Sequence, residues 1–133
     1  MNRNRNQNIL LVEILIAVLF FALCAGVILE TFAAAREYER RSRIETQALI
    51  DMQNITEAAY ASEAVERTLE ENGYVLDGSV WKLDTGDYIC EMTVTREEAS
   101  AGIVRSTLVK AIRNGKTIAE IPGARYLPGG ERE

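Results

Sequence analysis

One carboxylate, Glu13, lies near the start of a long apolar stretch and is the strongest chemical candidate in this chain. The stretch runs from Ile9 to Leu29 and otherwise consists of aliphatic, aromatic and small residues. Its length is close to the ~20 residues that a helix needs to cross a hydrocarbon core of about 30 Å. An ionisable side chain in such a segment is costly and marks a functional site by default.

Two interpretations of Glu13 are open at this point. With Ile9 at the membrane edge, Glu13 lies only about 6 Å deep at the rise of an α-helix. At that depth a carboxylate can be partly hydrated, so the first interpretation is a glutamate that the membrane tolerates. The second is a carboxylate that meets a positive partner when the protein assembles.

Other carboxylates fall on segments that we predict to be turns: Asp84 with Asp87, and Glu97 with Glu98. Solvated turn residues are the simplest interpretation of both pairs. A calcium-binding loop is the alternative for the first, although its spacing is not that of an EF-hand. The chain has no histidine, the commonest metal ligand and general base. We therefore predict no metal, no cofactor, no catalytic residue and no enzyme.

The cysteines and the overall charge narrow the class of protein further. Cys24 lies in the apolar stretch and Cys90 in the polar part that follows. We interpret both as small buried apolar residues, with an intermolecular contact as the alternative for Cys24. The net charge is −5 and the Lys and Arg residues are scattered, so no basic patch for nucleic acid is present.

Helical periodicity continues from the apolar stretch to Asn72, with no proline and with Gly26 as its one glycine. Gly73 then provides a left-handed C-terminal cap. We therefore predict one unbroken helix from Ile9 to Asn72. Its second half has apolar and small residues three or four positions apart, which form one stripe: Ile44, Ala48, Met52, Ile55, Ala59, Ser62, Val65 and Leu69.

The rest of the chain is predicted to cover this stripe with strands. Asp77-Gly78 and Asn114-Gly115 are hairpin signals, and Trp81 is predicted to be a core residue or a contact between helix and sheet. The predicted strands are Tyr74–Leu76, Val80–Leu83, Tyr88–Thr95, Ile103–Ile112 and Thr117–Ile121. In the third strand, alternation predicts that one face points inward: Tyr88, Cys90, Met92 and Val94.

One of these strands is ambiguous, and two Pro-Gly segments are predicted to interrupt the sheet. Ile103–Ile112 also fits a short helical stripe, although we prefer a strand. Pro122-Gly123 and Pro128-Gly129-Gly130 are predicted to break regular structure, which leaves a disordered tail. The predicted fold is α+β, with a long N-terminal helix packed on a small antiparallel sheet. The predicted divisions are a leader at 1–8, a membrane half-helix at 9–35, a globular domain at 36–127 and the tail at 128–133.

The first residues resemble the start of type IV pilins and pseudopilins. A short polar leader precedes Ile9-Leu10-Leu11-Val12-Glu13-Ile14-Leu15-Ile16-Ala17 and a run of Leu, Phe, Ala and Val. A general similarity extends through residues 32–36 and 47–57. The resemblance implies that a prepilin peptidase cleaves between Asn8 and Ile9, which puts Glu13 at the family's glutamate. Asn8 stands where the family almost always has glycine, and the family's usual proline near the end of the apolar half-helix is absent.

The resemblance implies a minor pilin or pseudopilin that takes part in assembly or initiation of a type IV pilus, a competence pilus or a type II secretion-type filament. The implied partners are other pilin or pseudopilin subunits, the prepilin peptidase, a membrane platform protein and the lipid bilayer. In the filament, Glu13 would pair with the cleaved α-amino group of a neighbouring subunit, which is largely protonated at neutral pH.

The resemblance also implies a location: a single pass through the cytoplasmic membrane, with the C-terminal domain extracytoplasmic on a pilus or the cell surface. The arginine count indicates the opposite orientation, since two arginines precede the stretch and four follow it: Arg3, Arg5, Arg36, Arg40, Arg41 and Arg43. We follow the resemblance. The alternative functions are a bitopic scaffold with an extracytoplasmic helical or coiled-coil region, and a membrane-tethered enzyme or receptor.

Overall fold

A computed structural model describes residues 2–129 of the chain, with side chains from Arg5 onward. The described residues form two helices and five strands: α1 Asn2–Ala61, α2 Val65–Glu71, β1 Val75–Asp77, β2 Val80–Asp84, β3 Ile89–Ala99, β4 Gly102–Arg113 and β5 Lys116–Pro128. All strands pair antiparallel with their sequence neighbours, in the order β1-β2-β3-β4-β5. The predicted α+β fold with a long N-terminal helix is confirmed. Met1 of the leader and residues 130–133 of the predicted tail lie outside the described residues.

The chain divides into two compact units, Met1–Arg41 and Ser42–Glu133. In the first unit α1 is helical from Asn2, and its described side chains are exposed. The second unit contains the remainder of α1, α2 and the sheet.

The core of the second unit lies between the apolar stripe of its helices and one face of the sheet. Seven of the eight predicted stripe residues are buried, and the eighth, Ser62, is half-buried. The sheet contributes the other side of the core, including Trp81, Cys90, Met92 and Val109. The predicted inward face of β3 is confirmed. In this arrangement the sheet buries the face formed by every second residue, and the helices bury the stripe formed by every third or fourth residue.

The predicted unbroken helix to Asn72 is wrong, because residues 62–64 are not helical and separate α1 from α2. No glycine or proline marks this break. We attribute the break to Arg105 of β4, whose guanidinium donates to the carbonyl oxygens of Ala59 at 2.6 Å and Ser62 at 2.9 Å. The end of a helix provides such free carbonyls, whereas an uninterrupted helix would use them internally.

The predicted cap at Gly73 is confirmed. Gly73 has φ +84° and its N–H donates to the carbonyl of Glu70, while the N–H of Tyr74 donates to the carbonyl of Leu69. These two bonds form a Schellman motif at the end of α2. Tyr74 and Leu69 are both buried, which supplies the apolar contact that accompanies such a cap.

Four hairpins connect the five strands in sequence order. The hairpin predicted at Asn114-Gly115 is confirmed, and both residues have positive φ, 52° and 74°, as a type I′ loop requires. The first hairpin is also confirmed, but Asp77 pairs with Val80 and the loop is therefore Gly78-Ser79.

The prediction that Glu97 and Glu98 lie on a turn is wrong. Both belong to β3, opposite Val104 and Ile103 of β4. The hairpin turns two residues later, at Ser100-Ala101, between the paired residues Ala99 and Gly102. A Ser-Ala loop contains neither of the residues, Gly and Asn, that usually mark such a turn.

The predicted break at Pro122-Gly123 is also wrong, because β5 continues through both residues to Pro128. β5 is an edge strand, the position at which a proline without an N–H donor is tolerated. Gly123 lies opposite Thr107, where a Cβ would come within 2.7 Å of the Thr107 Oγ1. This glycine therefore permits close packing within the sheet instead of ending it.

Candidate functional site

The apolar stretch in the first unit is exposed on every side of the helix. Its large apolar side chains, from Ile9 to Phe32, have relative exposures between 54% for Ile28 and 79% for Phe21. The segment is long and apolar enough to cross a membrane, and none of it is buried inside the protein. A helix that is apolar all round and not buried within its own protein is compatible with a single pass through a membrane. The predicted burial of Cys24 is not met within this chain, since Cys24 is exposed.

The three predicted site residues lie together on this helix. Asn8 and Ile9 are consecutive residues of α1, and Glu13 lies one turn beyond Ile9 on the same side. All three are exposed. Within the described residues, Glu13 has neither an ion pair nor a hydrogen bond from another side chain. The described residues thus present the Glu13 carboxylate on an apolar surface and place no cation against it.

The sequence prediction missed a row of three arginines in the second unit. Arg96, Arg105 and Arg125 lie directly opposite one another across β3, β4 and β5. Arg105 is 1% exposed, and burial lowers its pKa, as do the neighbouring Arg125 and Arg96. Arg105 occupies the same strand face as Val109 and Ala111, both of which are buried. The sequence did not mark this face as inward, because the opposite face carries the larger apolar residues Val104, Leu108 and Ile112.

Two of these arginines cap the C-terminus of α1. Arg105 bonds the carbonyls described above, and Arg125 donates to the carbonyl of Tyr60. The Arg125 guanidinium also lies 5.5 Å from the ring centroid of Tyr60, a cation–π distance. Positive charge at the C-terminal end of a helix is favourable, because the last carbonyls carry partial negative charge. The cap attaches the end of α1 to the sheet.

The third arginine attaches α2 to β3. Arg96 forms an ion pair and hydrogen bond with Glu66 of α2. The hydrogen bond from Arg96 is the main reason that the pKa of Glu66 lies below its usual value. Each of the three arginines therefore holds one part of the α1–α2 junction to a different strand.

A second polar cluster attaches α1 to the start of β3. The Tyr88 hydroxyl donates to Asp51, whose Oδ1 also accepts from Gln47 Nε2 at 2.9 Å. Burial raises the pKa of Tyr88, and the bond to Asp51 raises it further. Burial also raises the pKa of the Cys90 thiol. Cys90 is therefore a protonated core residue at neutral pH, as an unreactive buried thiol is expected to be.

The loop with the predicted carboxylate pair Asp84 and Asp87 has a local structural explanation. The Oδ1 of Asp84 accepts from the N–H of Gly86 at 2.8 Å, which closes a tight turn around the positive φ of Gly86. The described part of the chain holds no group of three Cys, Asp or Glu side chains that could bind a metal.

The described residues have a pilin-like architecture: a long N-terminal helix packed on an antiparallel sheet. Comparison of the chain with protein-family models, with curated proteins and with solved structures found no match.

Proposed function

We propose that this protein is a minor pilin or pseudopilin, a single-pass membrane subunit that takes part in assembly or initiation of a type IV pilus, a competence pilus or a type II secretion-type filament. The observation that carries the proposal is the bare apolar helix with a single carboxylate in its first turns, followed by a compact α+β unit. The partners are other pilin or pseudopilin subunits, a platform protein and a prepilin peptidase.

The exposed apolar stretch fits a protein whose helix lies first in a membrane and later in a filament. Its large side chains are exposed around the whole helix, so one partner surface cannot cover them. A bilayer covers such a helix completely, and so does a bundle of equivalent apolar helices. A subunit that waits in the cytoplasmic membrane and then enters a filament core passes from the first surrounding to the second.

We infer that Glu13 forms an ion pair only when the subunits assemble. A carboxylate transferred into an apolar helix bundle requires a hydrogen-bonded cation there. Cleavage between Asn8 and Ile9 creates such a cation, the α-amino group of Ile9. In one chain this group lies one turn from Glu13 along the helix, and in a staggered bundle the Ile9 amino group of a neighbour provides the partner.

The second unit favours a filament subunit over a coiled-coil scaffold. A scaffold needs a helix stripe that is open to another helix. The stripe from Ile44 to Leu69 is already covered by the sheet of its own chain. The globular unit is then the extracytoplasmic part of the subunit, exposed on the filament or the cell surface.

The test replaces Glu13 in the full-length protein in its own cells, with Glu30→Leu as matched control, because Glu30 is an exposed acid on the same helix. Glu13→Leu should leave membrane levels unchanged and reduce filament number and co-purification with other subunits at least tenfold. Glu13→Gln should show an equal or smaller defect, and Glu13→Asp should retain part of the function. Mass spectrometry of the same samples should show Ile9 as the first residue.

Normal filament number and normal co-purification for Glu13→Leu would refute the pairing of Glu13. An equal defect in Glu30→Leu would show that any loss of charge on this helix acts in the same way. An N-terminus at Met1 or Asn2 would exclude the Ile9 amino group as the partner.

A further inference from the structure

Arg36 and Arg40 form a basic pair at the end of the apolar part of α1. They are the first basic residues after Arg5. They lie one helical turn apart, so their side chains share one side of the helix, and both are exposed. The surrounding segment is helical without interruption, which makes this spacing a property of the fold.

The pair has no acidic partner among the described residues, whereas its neighbours do have interactions. Glu39 and Arg41 each interact with other groups of the protein. Neither Arg36 nor Arg40 takes part in any ion pair or hydrogen bond of a described side chain. Two like charges one turn apart repel each other, so a shared anion would stabilise the pair.

We propose that Arg36 and Arg40 together bind the phosphate group of an anionic phospholipid at the membrane surface. This inference rests on the membrane-spanning part of the proposed function. The Cα–Cβ bonds of a helix tilt toward its N-terminus, so both arginine side chains lean back toward the apolar stretch. Their long apolar stems allow the guanidinium groups to reach the headgroup level, and guanidinium matches phosphate with paired hydrogen bonds.

Tyr38, which lies between the two arginines in the sequence, also indicates that this part of the helix lies at the membrane surface. Tyr38 is 77% exposed and is not part of the core. Tyrosine is enriched at membrane–water interfaces, where its ring and hydroxyl meet apolar and polar surroundings. Lipid is thus favoured over an acidic protein as the occupant of the arginine pair, because the pair follows the segment that we propose to span the membrane.

The test uses the full-length protein reconstituted in nanodiscs that contain equal amounts of phosphatidylglycerol and phosphatidylcholine. Native mass spectrometry counts the lipids that remain bound. Each arginine near an anionic surface strengthens binding about fivefold, so we expect a preference for phosphatidylglycerol between about fivefold and thirtyfold. The double variant Arg36→Gln/Arg40→Gln should lose this preference. The control Arg41→Gln/Arg43→Gln removes the same charge from residues that already have interactions, and it should keep the preference.

Several results would overturn the inference. One is an equal loss of preference in both double variants, and another is no preference in the unmodified protein. A third is displacement of the lipid by a hexaglutamate peptide at equal concentration, which would favour an acidic protein partner. Resistance to carbonate extraction is measured in parallel. If the unmodified protein is extracted, the membrane span fails together with the inference. If it inserts without lipid preference, only the inference fails.

Discussion

Replacement of Arg105 by methionine tests the explanation for the break between the two helices. Arg105 is 1% exposed and donates to carbonyls of Ala59 at 2.6 Å, Ser62 at 2.9 Å and, at a longer distance of 3.4 Å, Glu63. Methionine fills most of the same volume but leaves these carbonyls without a donor. The change therefore separates the hydrogen bonds of the guanidinium from its packing.

The size of the effect follows from two opposing contributions. Each hydrogen bond from a charged group stabilises by about 1.5–3 kcal/mol, and two of the three bonds are short. Burial of a guanidinium without a carboxylate partner costs part of this gain. We expect Arg105→Met to lower the free energy of unfolding by about 2–4 kcal/mol. Arg105→Lys, which keeps the charge but cannot bond several carbonyls at once, should lower it by about 1–2 kcal/mol.

The measurement is urea unfolding of a fragment containing residues 42–133, which corresponds to the second compact unit, followed by circular dichroism. With a slope of about 1 kcal/mol per molar urea for a domain of this size, the midpoint should fall by roughly 2–4 M. Arg113→Met is the matched control, because Arg113 is a half-buried arginine of the same strand. It should change stability by less than about 0.5 kcal/mol.

A midpoint for Arg105→Met equal to that of the unmodified fragment would refute the reasoning. It would mean that water satisfies the carbonyls equally well, and the break at residues 62–64 would then need another cause. A loss as large in the Arg113→Met control would show that charge and not the hydrogen bonds matters.

Two further predictions concern the same fragment. Ile55→Asp should unfold it, because Ile55 is 4% exposed and the new carboxylate would be buried without a partner. Circular dichroism should then show loss of the mixed α/β spectrum. Gln53→Asp, at an exposed position of the same helix, is the control and should keep that spectrum. The Glu66–Arg96 pair should make stability pH-dependent: the pKa of Glu66 is lowered from 4.5 on folding, so its contribution is present above about pH 4.5 and is lost as the pH falls through the lower folded pKa. The pair is partly exposed, and the loss should stay below about 1 kcal/mol. The difference between the urea midpoints at pH 3 and pH 6 measures this loss of stability. Glu66→Gln should make that difference smaller. If the difference is the same in Glu66→Gln as in the unmodified fragment, Glu66 is not its source.

Local patterns in the sequence were sufficient for much of this fold. The stripe from Ile44 to Leu69 and the alternation of β3 predicted the two faces of the core, because helix and strand periods determine which side chains share a face. Asn114-Gly115 and Gly73 predicted a hairpin and a helix end, because each of these positions has the positive φ that Asn and Gly tolerate. The apolar stretch and the position of Glu13 within it were evident from the order of the residues alone.

The wrong predictions all concern positions whose conformation depends on a distant part of the chain. Pro122 is compatible with β5 only because β5 lies at the edge of the sheet, and strand order is not a local property. Glu97 and Glu98 remain extended because β4 pairs with them to the end of the hairpin. The local sequence at each of these positions is equally compatible with a turn.

The helix break is the clearest case of a decision made by tertiary structure. Residues 62–64 carry no helix-breaking signal, and the helical stripe passes through them. The buried Arg105 requires hydrogen-bond acceptors, and the carbonyls at the end of α1 supply them from more than forty residues away. Ending α1 at Ala61 frees these carbonyls for the buried guanidinium, whose Nε alone has no partner among the described residues. Because a buried guanidinium without acceptors is costly, this distant contact explains the end of α1 better than local helix propensity does.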